Sequence, residues 1–425
     1  MNIFLSFFSE GKSNKNCKII KKMVYCIMNK LNRYYGGIME NNNTKKERTD
    51  DLKVRIIAGI IIVLIISGYY LYAINYTSRG IINNFLNKRE GKILNNEFNE
   101  KIKSANLSTD YTVEQAMNDI GTLELNTINL PIVINIDDID SSTMNVDNNS
   151  LERAKLLLKE LKGKKINVIL EPYPWIANGS KYETDYNPSD KESFFINWKQ
   201  NVLKPIIDEI AIPYRVDAIN IATGFTHLEG MEDEFCDMID FTREYYKGLI
   251  TYRTSFWTTA NWDDEITKNQ VNDLNKKYNA KLNNKIFSKV DFISIASYFE
   301  LTDNDVNTVA NLENALISSQ RYNRKQEIKE QVKNFYDKWN KPIFFGELGF
   351  PRTNKASVEP WNPYLSNEIN TQEQANGFEA YRRTYESEPW LLGFSIFAVG
   401  NKDGDKMYYP SEETIEVINR WFDLD

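Results

Sequence analysis

The sequence predicts an α/β protein, a (β/α)8 barrel preceded by a single transmembrane helix, and three observations carry that expectation. Short apolar runs rich in β-branched residues alternate with amphipathic runs throughout 98–425. Their starts fall roughly 30 to 50 residues apart, which suits repeated β/α units with some long loops. One uncharged stretch, 56–78, stands ahead of them.

The clearest strands are expected over 127–136, 166–170, 218–222, 249–256, 292–297, 342–345 and 393–397, and a weaker one near 101–107 completes eight. Runs that are apolar without alternation are buried on both faces, as a parallel sheet requires. Between the first pair, Leu151, Ala154, Leu157, Leu158 and Leu161 recur at helical spacing. They follow the capping signal Asn149-Ser-Leu-Glu152 and precede Gly163. A doubly wound open sheet is the competing architecture, but no Gly-rich phosphate loop follows the first strand. The 425 residues accommodate one barrel of about 250 residues with insertions, and 42% hydrophobic content supplies its core.

The run Ile-Ile-Ala-Gly-Ile-Ile-Ile-Val-Leu from Ile56, continuing without charge to Ser78, has the roughly 20 residues a spanning helix needs. Tyr69, Tyr70 and Tyr72 sit where an aromatic belt is expected. Lys45, Lys46, Arg48, Lys53 and Arg55 precede the run, whereas Arg79 alone follows closely. The positive-inside rule therefore puts 1–55 in the cytoplasm and the remainder outside the cell, with 79–97 as a polar stalk. A cleaved signal peptide fits less well, because Leu71-Tyr-Ala-Ile is a poor cleavage site. Gly36-Gly37-Ile38-Met39 is what a purine-rich ribosome-binding site and start codon spell in frame, which marks Met39 as an alternative start and 1–38 as a candidate untranslated stretch. The abundance of Asn, Ile and Lys fits an AT-rich bacterial genome.

Charge divides the chain in the same place. Residues 1–55 carry twelve basic and five acidic residues, which leaves 40 basic against 54 acidic from 56 onward. A domain so acidic repels phosphate backbones, which argues against a nucleic-acid partner and leaves neutral polymers such as glycans open. Cys17 and Cys26 precede the apolar stretch and Cys236 follows it, so no intramolecular disulfide joins the two sides of a membrane. One histidine and scattered carboxylates make no zinc site.

Polar and aromatic residues collect at the C-terminal ends of successive strands: Glu171-Pro-Tyr173-Pro-Trp175, Thr223 to Glu229, Trp257 to Trp262, Tyr298-Phe-Glu300, and Glu347. In a β/α barrel those ends converge on the face that carries the active site. The segment Lys341-Pro-Ile-Phe-Phe-Gly-Glu347-Leu-Gly-Phe-Pro resembles the seventh-strand motif of the large glycoside hydrolase clan in which a Glu closing that strand is the nucleophile. Thr259-Ala-Asn-Trp-Asp263, Asp291-Phe-Ile-Ser-Ile-Ala-Ser-Tyr-Phe-Glu-Leu-Thr302 and Lys341 to Pro351 together resemble glycoside hydrolase family 113, the β-mannanase-like barrels.

The resemblance implies hydrolysis of a β-linked polysaccharide, mannan-like or of the cell envelope, by two carboxylates and without a cofactor. It makes Glu347 the nucleophile, with the Tyr298 hydroxyl placed to hydrogen-bond it. The acid/base Glu of these enzymes ends the fourth strand in a Gly-x-Glu pattern, yet here the corresponding position is Gly224, which has no side chain to transfer a proton. Glu229 is the expected replacement, with His227 beside it as a second candidate and Glu171 and Glu300 as further ones. Glu229 has an alternative reading, as a carboxylate in the first turn of the following helix. Tyr173, Trp175, Trp257 and Trp262 offer flat faces on which sugar rings stack, and His227, Asn261, Tyr298 and Glu300 complete the expected substrate-binding set. The alternative function is a barrel that has lost hydrolysis and binds a glycan or protein partner at the cell surface, a reading that rests on Gly224.

Overall fold

The computed structural model describes residues 100–425 apart from 264, 403–406 and 423–425. The expected cytoplasmic segment, the 56–78 anchor and the 79–97 stalk lie outside the described residues. Among the described residues, no helix is long and apolar enough to cross a membrane.

Nine strands are described: β1 (Ile102–Leu107), β2 (Thr127–Ile136), β3 (Met144–Val146), β4 (Asn167–Ile176), β5 (Ala218–Thr223), β6 (Leu249–Ser255), β7 (Phe292–Ala296), β8 (Ile343–Leu348) and β9 (Leu391–Val399). All but β3 pair in parallel in the order β1-β9-β8-β7-β6-β5-β4-β2, and β1 pairs β2 to close the ring. The eight expected strands are thus present as a closed parallel barrel, and the β1–β2 pairing rules out the open sheet. β3, a short antiparallel addition to the end of β2, has no counterpart in the sequence expectation.

β4 runs six residues beyond its expected end, through Pro172 and Pro174. It keeps its ladder with β2 as far as Ile176, while its pairing with β5 stops at Leu170. Past that residue β4 needs donors on one side only, so the missing proline N–H groups cost no ladder bond. The helix after β3, Asn148–Glu160, buries the predicted stripe of Leu151, Ala154, Leu157 and Leu158. Its cap is Asp147, whose side chain accepts from Ser150 N at 2.7 Å, two residues ahead of the predicted signal. The Ser150 hydroxyl accepts from Val133 N of β2, 2.9 Å away, and ties the first turn of the helix to the barrel.

The barrel interior is layered by the two-residue period of its strands. At the N-terminal end Ile102, Ile169, Ala218, Leu249, Phe292, Phe344 and Leu392 form a separate apolar plug. Two residues further along the same strand faces come Ser104, Glu171, Asn220, Thr251, Ser294 and Gly346, a buried polar layer. The opposite strand faces, such as Ile128, Leu170, Ile219, Ile250, Ile293 and Phe345, belong to the larger core beneath the helices.

Barrel closure depends on the close approach of β9 to β1. Gly393 lies opposite Ile102 with φ +154°, and a Cβ there would run into the Ile102 main chain. Gly393→Ala is expected to lower stability by about 2–3 kcal/mol through strain and overpacking, read from the urea midpoint. An unchanged midpoint would show that the two strands can separate freely.

Candidate active site

Above the polar layer sits Arg253, in the middle of β6 and 1% exposed. Its neighbours Tyr252 and Thr254 point to the helix layer, so strand alternation turns Arg253 into the lumen. Its Nε donates to Thr223 Oγ1 at 2.9 Å, and its Nη1 donates to Glu171 Oε1 at 2.7 Å. Nη2 forms a 2.7 Å ion pair with Glu347 Oε1. Longer bonds from Nη1 reach Asn106 Oδ1 at 3.4 Å and the Gly346 carbonyl at 3.3 Å. A Cβ on residue 346 would lie 3.0 Å from Arg253 Cδ and closer still to the Ser294 hydroxyl, so glycine makes the room.

The shell around this guanidinium is itself bonded. Asn129 Nδ2 donates to Glu171 Oε1 at 2.8 Å, and Asn129 Oδ1 accepts from Ser104 Oγ at 2.8 Å. Asn106 Nδ2 donates to the Gly346 carbonyl and to Ser395 Oγ, each at 2.9 Å. Burial works against the charge on Arg253, but Glu171 and Glu347 outweigh it and hold the guanidinium more firmly protonated than usual. Burial likewise pushes the Glu171 carboxyl up, opposed by Arg253. A buried charge survives only with partners of this quality.

Glu347, the penultimate residue of β8, stands at the mouth of the lumen and is 8% exposed. The Tyr298 hydroxyl donates to its carboxylate; burial, with Glu347 adding, raises that phenol well above its ordinary range, so it stays a donor. Two other phenols surround the same carboxylate. Tyr173, on the lumen face of β4 two residues beyond Glu171, is raised by burial, then by Glu183 and Glu347. Tyr408 is raised by burial and Glu347, with Tyr182 and Tyr364 contributing, and its hydroxyl donates to the Pro360 carbonyl at 2.7 Å.

At the end of β5 the gap at Gly224 is real in three dimensions, with a φ of +64°. The space above it is occupied. A Cβ on residue 224 would stand 3.1 Å from Glu183 Oε1 and 3.3 Å from its Cδ. Glu183 belongs to the loop after β4 and is half-buried. Burial, followed by repulsion from Glu347, pushes its carboxyl up to about 6.

The other residues expected at the site are distributed differently. Glu229 lies on the outer side of β6: it pairs with Lys281, accepts from Tyr252 Oη at 3.2 Å and from the Thr254 hydroxyl, and sits in the turn before helix Glu232–Tyr245. The structure brings it to the residues flanking Arg253 in sequence, not to Glu347. His227 is exposed in the same turn. Trp257 is 6% exposed and packs against Phe335, Phe299 and Tyr278 at 4.9 to 5.6 Å between ring centroids, so its faces are covered by core. Trp262 is half-buried and donates to the Tyr322 carbonyl at 3.0 Å, and the main chain of exposed Asn261 donates to Arg324 O at 2.8 Å. Glu300 pairs with Arg324 at 2.7 Å and with Arg321 at 3.7 Å. Trp175 is half-buried on the face of β4 that carries Glu171 and Tyr173, with its ring folded over Gly179.

Arg253, Asn129, Glu183 and Tyr408 were not anticipated. An arginine inside the otherwise uncharged run Leu249–Ser255 was a visible signal, because a charge in a strand buried on both faces needs a buried partner. Glu183 and Tyr408 stand in polar loop sequence that carries no such mark.

Comparison with known proteins agrees with this architecture. Two structures of a GH113 β-1,4-mannanase, one of them a complex, are each 17% identical to the chain, with TM-scores of 0.54 and 0.56, covering 76% of this chain and 98% of theirs. A GH113 β-mannanase from Alicyclobacillus acidocaldarius is 14% identical at a TM-score of 0.56, covering 76% of this chain and 97% of its own. At such identities the likeness is one of fold. No curated protein matches the chain. The sequence profile of Glycoside Hydrolase Family 113 matches residues 98–414, which span all eight barrel strands, and the chain belongs to that family.

Proposed function

We propose that this chain hydrolyses a β-linked polysaccharide, mannan-like or of the cell envelope, with Glu347 as nucleophile, and that it does so tethered to the membrane with the barrel outside the cell. The observation that carries the catalytic part is the coordination of Glu347. One oxygen is bound to Arg253 at 2.7 Å and the carboxylate also accepts from Tyr298, at the C-terminal mouth of the barrel.

A nucleophilic carboxylate has to be ionised, aimed and free of a proton that would quench it. Two donors, Arg253 from β6 and Tyr298 from the segment just after β7, fix the carboxylate plane. Attack of a Glu347 oxygen on the anomeric carbon forms a glycosyl ester, which water then hydrolyses with overall retention. Tyr173 and Tyr408 supply aromatic surface around that carboxylate, with Tyr182 and Tyr364 beside Tyr408, and sugar rings present the apolar faces that match it. The tether is supported by the uncharged 56–78 run and by the cluster of cations before it. A mannan-like substrate is supported by family membership, since the solved relatives named above are β-mannanases.

A binding-only barrel is the second reading, favoured by Gly224. The full-length chain in detergent, incubated with defined β-linked oligosaccharides, separates the two: turnover supports hydrolysis, whereas saturable binding without released product supports the binding module. Glu347→Gln is expected to cut kcat/KM on the order of 10⁴-fold, and retained turnover in this variant would remove Glu347 from the reaction. Arg253→Met leaves Glu171 and Glu347 without their buried counter-charge and is expected to cost about 3–5 kcal/mol of stability, read by chemical denaturation. A variant as stable as the parent would show that other groups compensate those carboxylates.

A further inference from the structure

Two-carboxylate hydrolysis requires, beside the nucleophile, a carboxyl that carries a proton when the bond breaks, and environments that push two carboxyls apart mark such pairs. Glu347 is held by a guanidinium. The Glu183 carboxyl, which stands over Gly224 at the end of β5 and is repelled by Glu347, has different surroundings. Glu183 is half-buried, Glu347 is the acidic group that repels it most strongly, and among the described residues no lysine or arginine forms an ion pair with it. The groups acting on it are Glu347 and Asp185, which raise it, and its own backbone N–H and Arg253, which lower it; Tyr173 stands beside it.

Its loop is held in place from both sides. Ile176 bridges Lys181, Thr226 Oγ1 donates to the Thr184 carbonyl at 2.8 Å, and Tyr186 Oη donates to the Ser141 carbonyl at 2.5 Å. The Tyr186 ring packs on Phe194 and Phe225 at 5.5 and 5.3 Å. Phe225 and Thr226 directly follow Gly224, so the end of β5 clamps the loop whose carboxyl covers its glycine. Any side chain at 224 would displace that carboxyl.

We infer that Glu183, reaching over Gly224 from the loop after β4, is the proton donor and later the base for hydrolysis at Glu347. This rests on the hydrolase reading above. In the first step a Glu347 oxygen bonds to the anomeric carbon, the glycosidic C–O bond breaks with its electron pair going to the leaving oxygen, and the Glu183 proton passes to that oxygen. In the second step the Glu183 carboxylate takes a proton from water, the water oxygen bonds to the anomeric carbon, and the ester bond to Glu347 breaks. One water is consumed and both carboxyls regain their starting states. The pKa near 6 keeps a substantial protonated fraction at mildly acidic pH and sets a basic limb to the rate.

The test compares Glu183→Ala with Glu229→Gln and the parent, as full-length chains in detergent, on β-1,4-linked manno-oligosaccharides and on 2,4-dinitrophenyl β-mannoside, whose leaving group needs no proton. Glu183→Ala is expected to lose about 10²-fold or more in kcat/KM on the oligosaccharide while staying within about tenfold of the parent on the aryl glycoside, a contrast that misfolding would not produce. Its basic limb should vanish, and azide should restore turnover with formation of the β-glycosyl azide. Glu229→Gln should keep the parental pH profile. Equal losses on both substrates, or an unaltered basic limb in Glu183→Ala, overturn the assignment. No turnover by the parent on either substrate, or on the wider oligosaccharide panel, instead overturns the hydrolase reading and this one with it.

Discussion

A single buried cation organises the upper half of the barrel. Arg253 is surrounded by strands rather than by solvent, and its guanidinium is tolerable there only because Glu171 and Glu347 lie 2.7 Å from it and Thr223 takes its Nε. Replacing such a network by apolar side chains would often be neutral for stability or better. What the network secures is orientation, since each partner is fixed by a further hydrogen bond: Glu171 by Asn129, Asn129 by Ser104, and Asn106 by Ser395. Nearly every barrel strand contributes side chains or main-chain groups to this lattice, and the carboxylate at its open end is Glu347.

Strand alternation decides which polar residues enter that lattice. Tyr252, Arg253 and Thr254 are consecutive, yet Arg253 meets Glu347 in the lumen while Tyr252 and Thr254 meet Glu229 beneath the helices. The two glutamates therefore serve separate networks on opposite sides of one strand. Glu229 is matched by Lys281 and locks the helix Lys268–Leu282 onto the barrel, a packing function that its proximity in sequence to Gly224 concealed. Trp257 behaves in the same way among the aromatics: one residue pair past the end of β6, it has already turned into the core.

Loops then supply what the strands do not. The rigid lumen presents Glu347, whereas Glu183, Tyr408, Tyr182 and Tyr364 all come from connecting segments, the usual division of labour in a scaffold whose chemistry varies by loop exchange. Gly224 fits this division. Its left-handed φ and bare α-carbon admit a carboxyl from a different loop, so the absence of a side chain at one strand end is coupled to the presence of one at another.

The order of the eight strands, their approximate bounds, the helical stripe from Leu151 to Leu158 and the placement of Glu347 and Tyr298 at one mouth were legible in the sequence, because hydrophobic period and strand-end position are local properties that survive folding unchanged. The glycine at 224 was legible too, as a missing group. What filled it was not. Glu183 is 41 residues earlier in the chain, and its arrival above Gly224 depends on the Thr226 and Tyr186 contacts that only the closed barrel creates. The same holds for Arg253, whose presence in an apolar strand announced a buried partner without saying which, and for Glu229, whose partners Tyr252 and Thr254 are turned away from the lumen by the alternation of β6. The sequence by itself determined the barrel and the place of Glu347 at its mouth; tertiary structure decided the company those residues keep, because electrostatic partnership is a matter of distance across the lumen and no period along the chain encodes it.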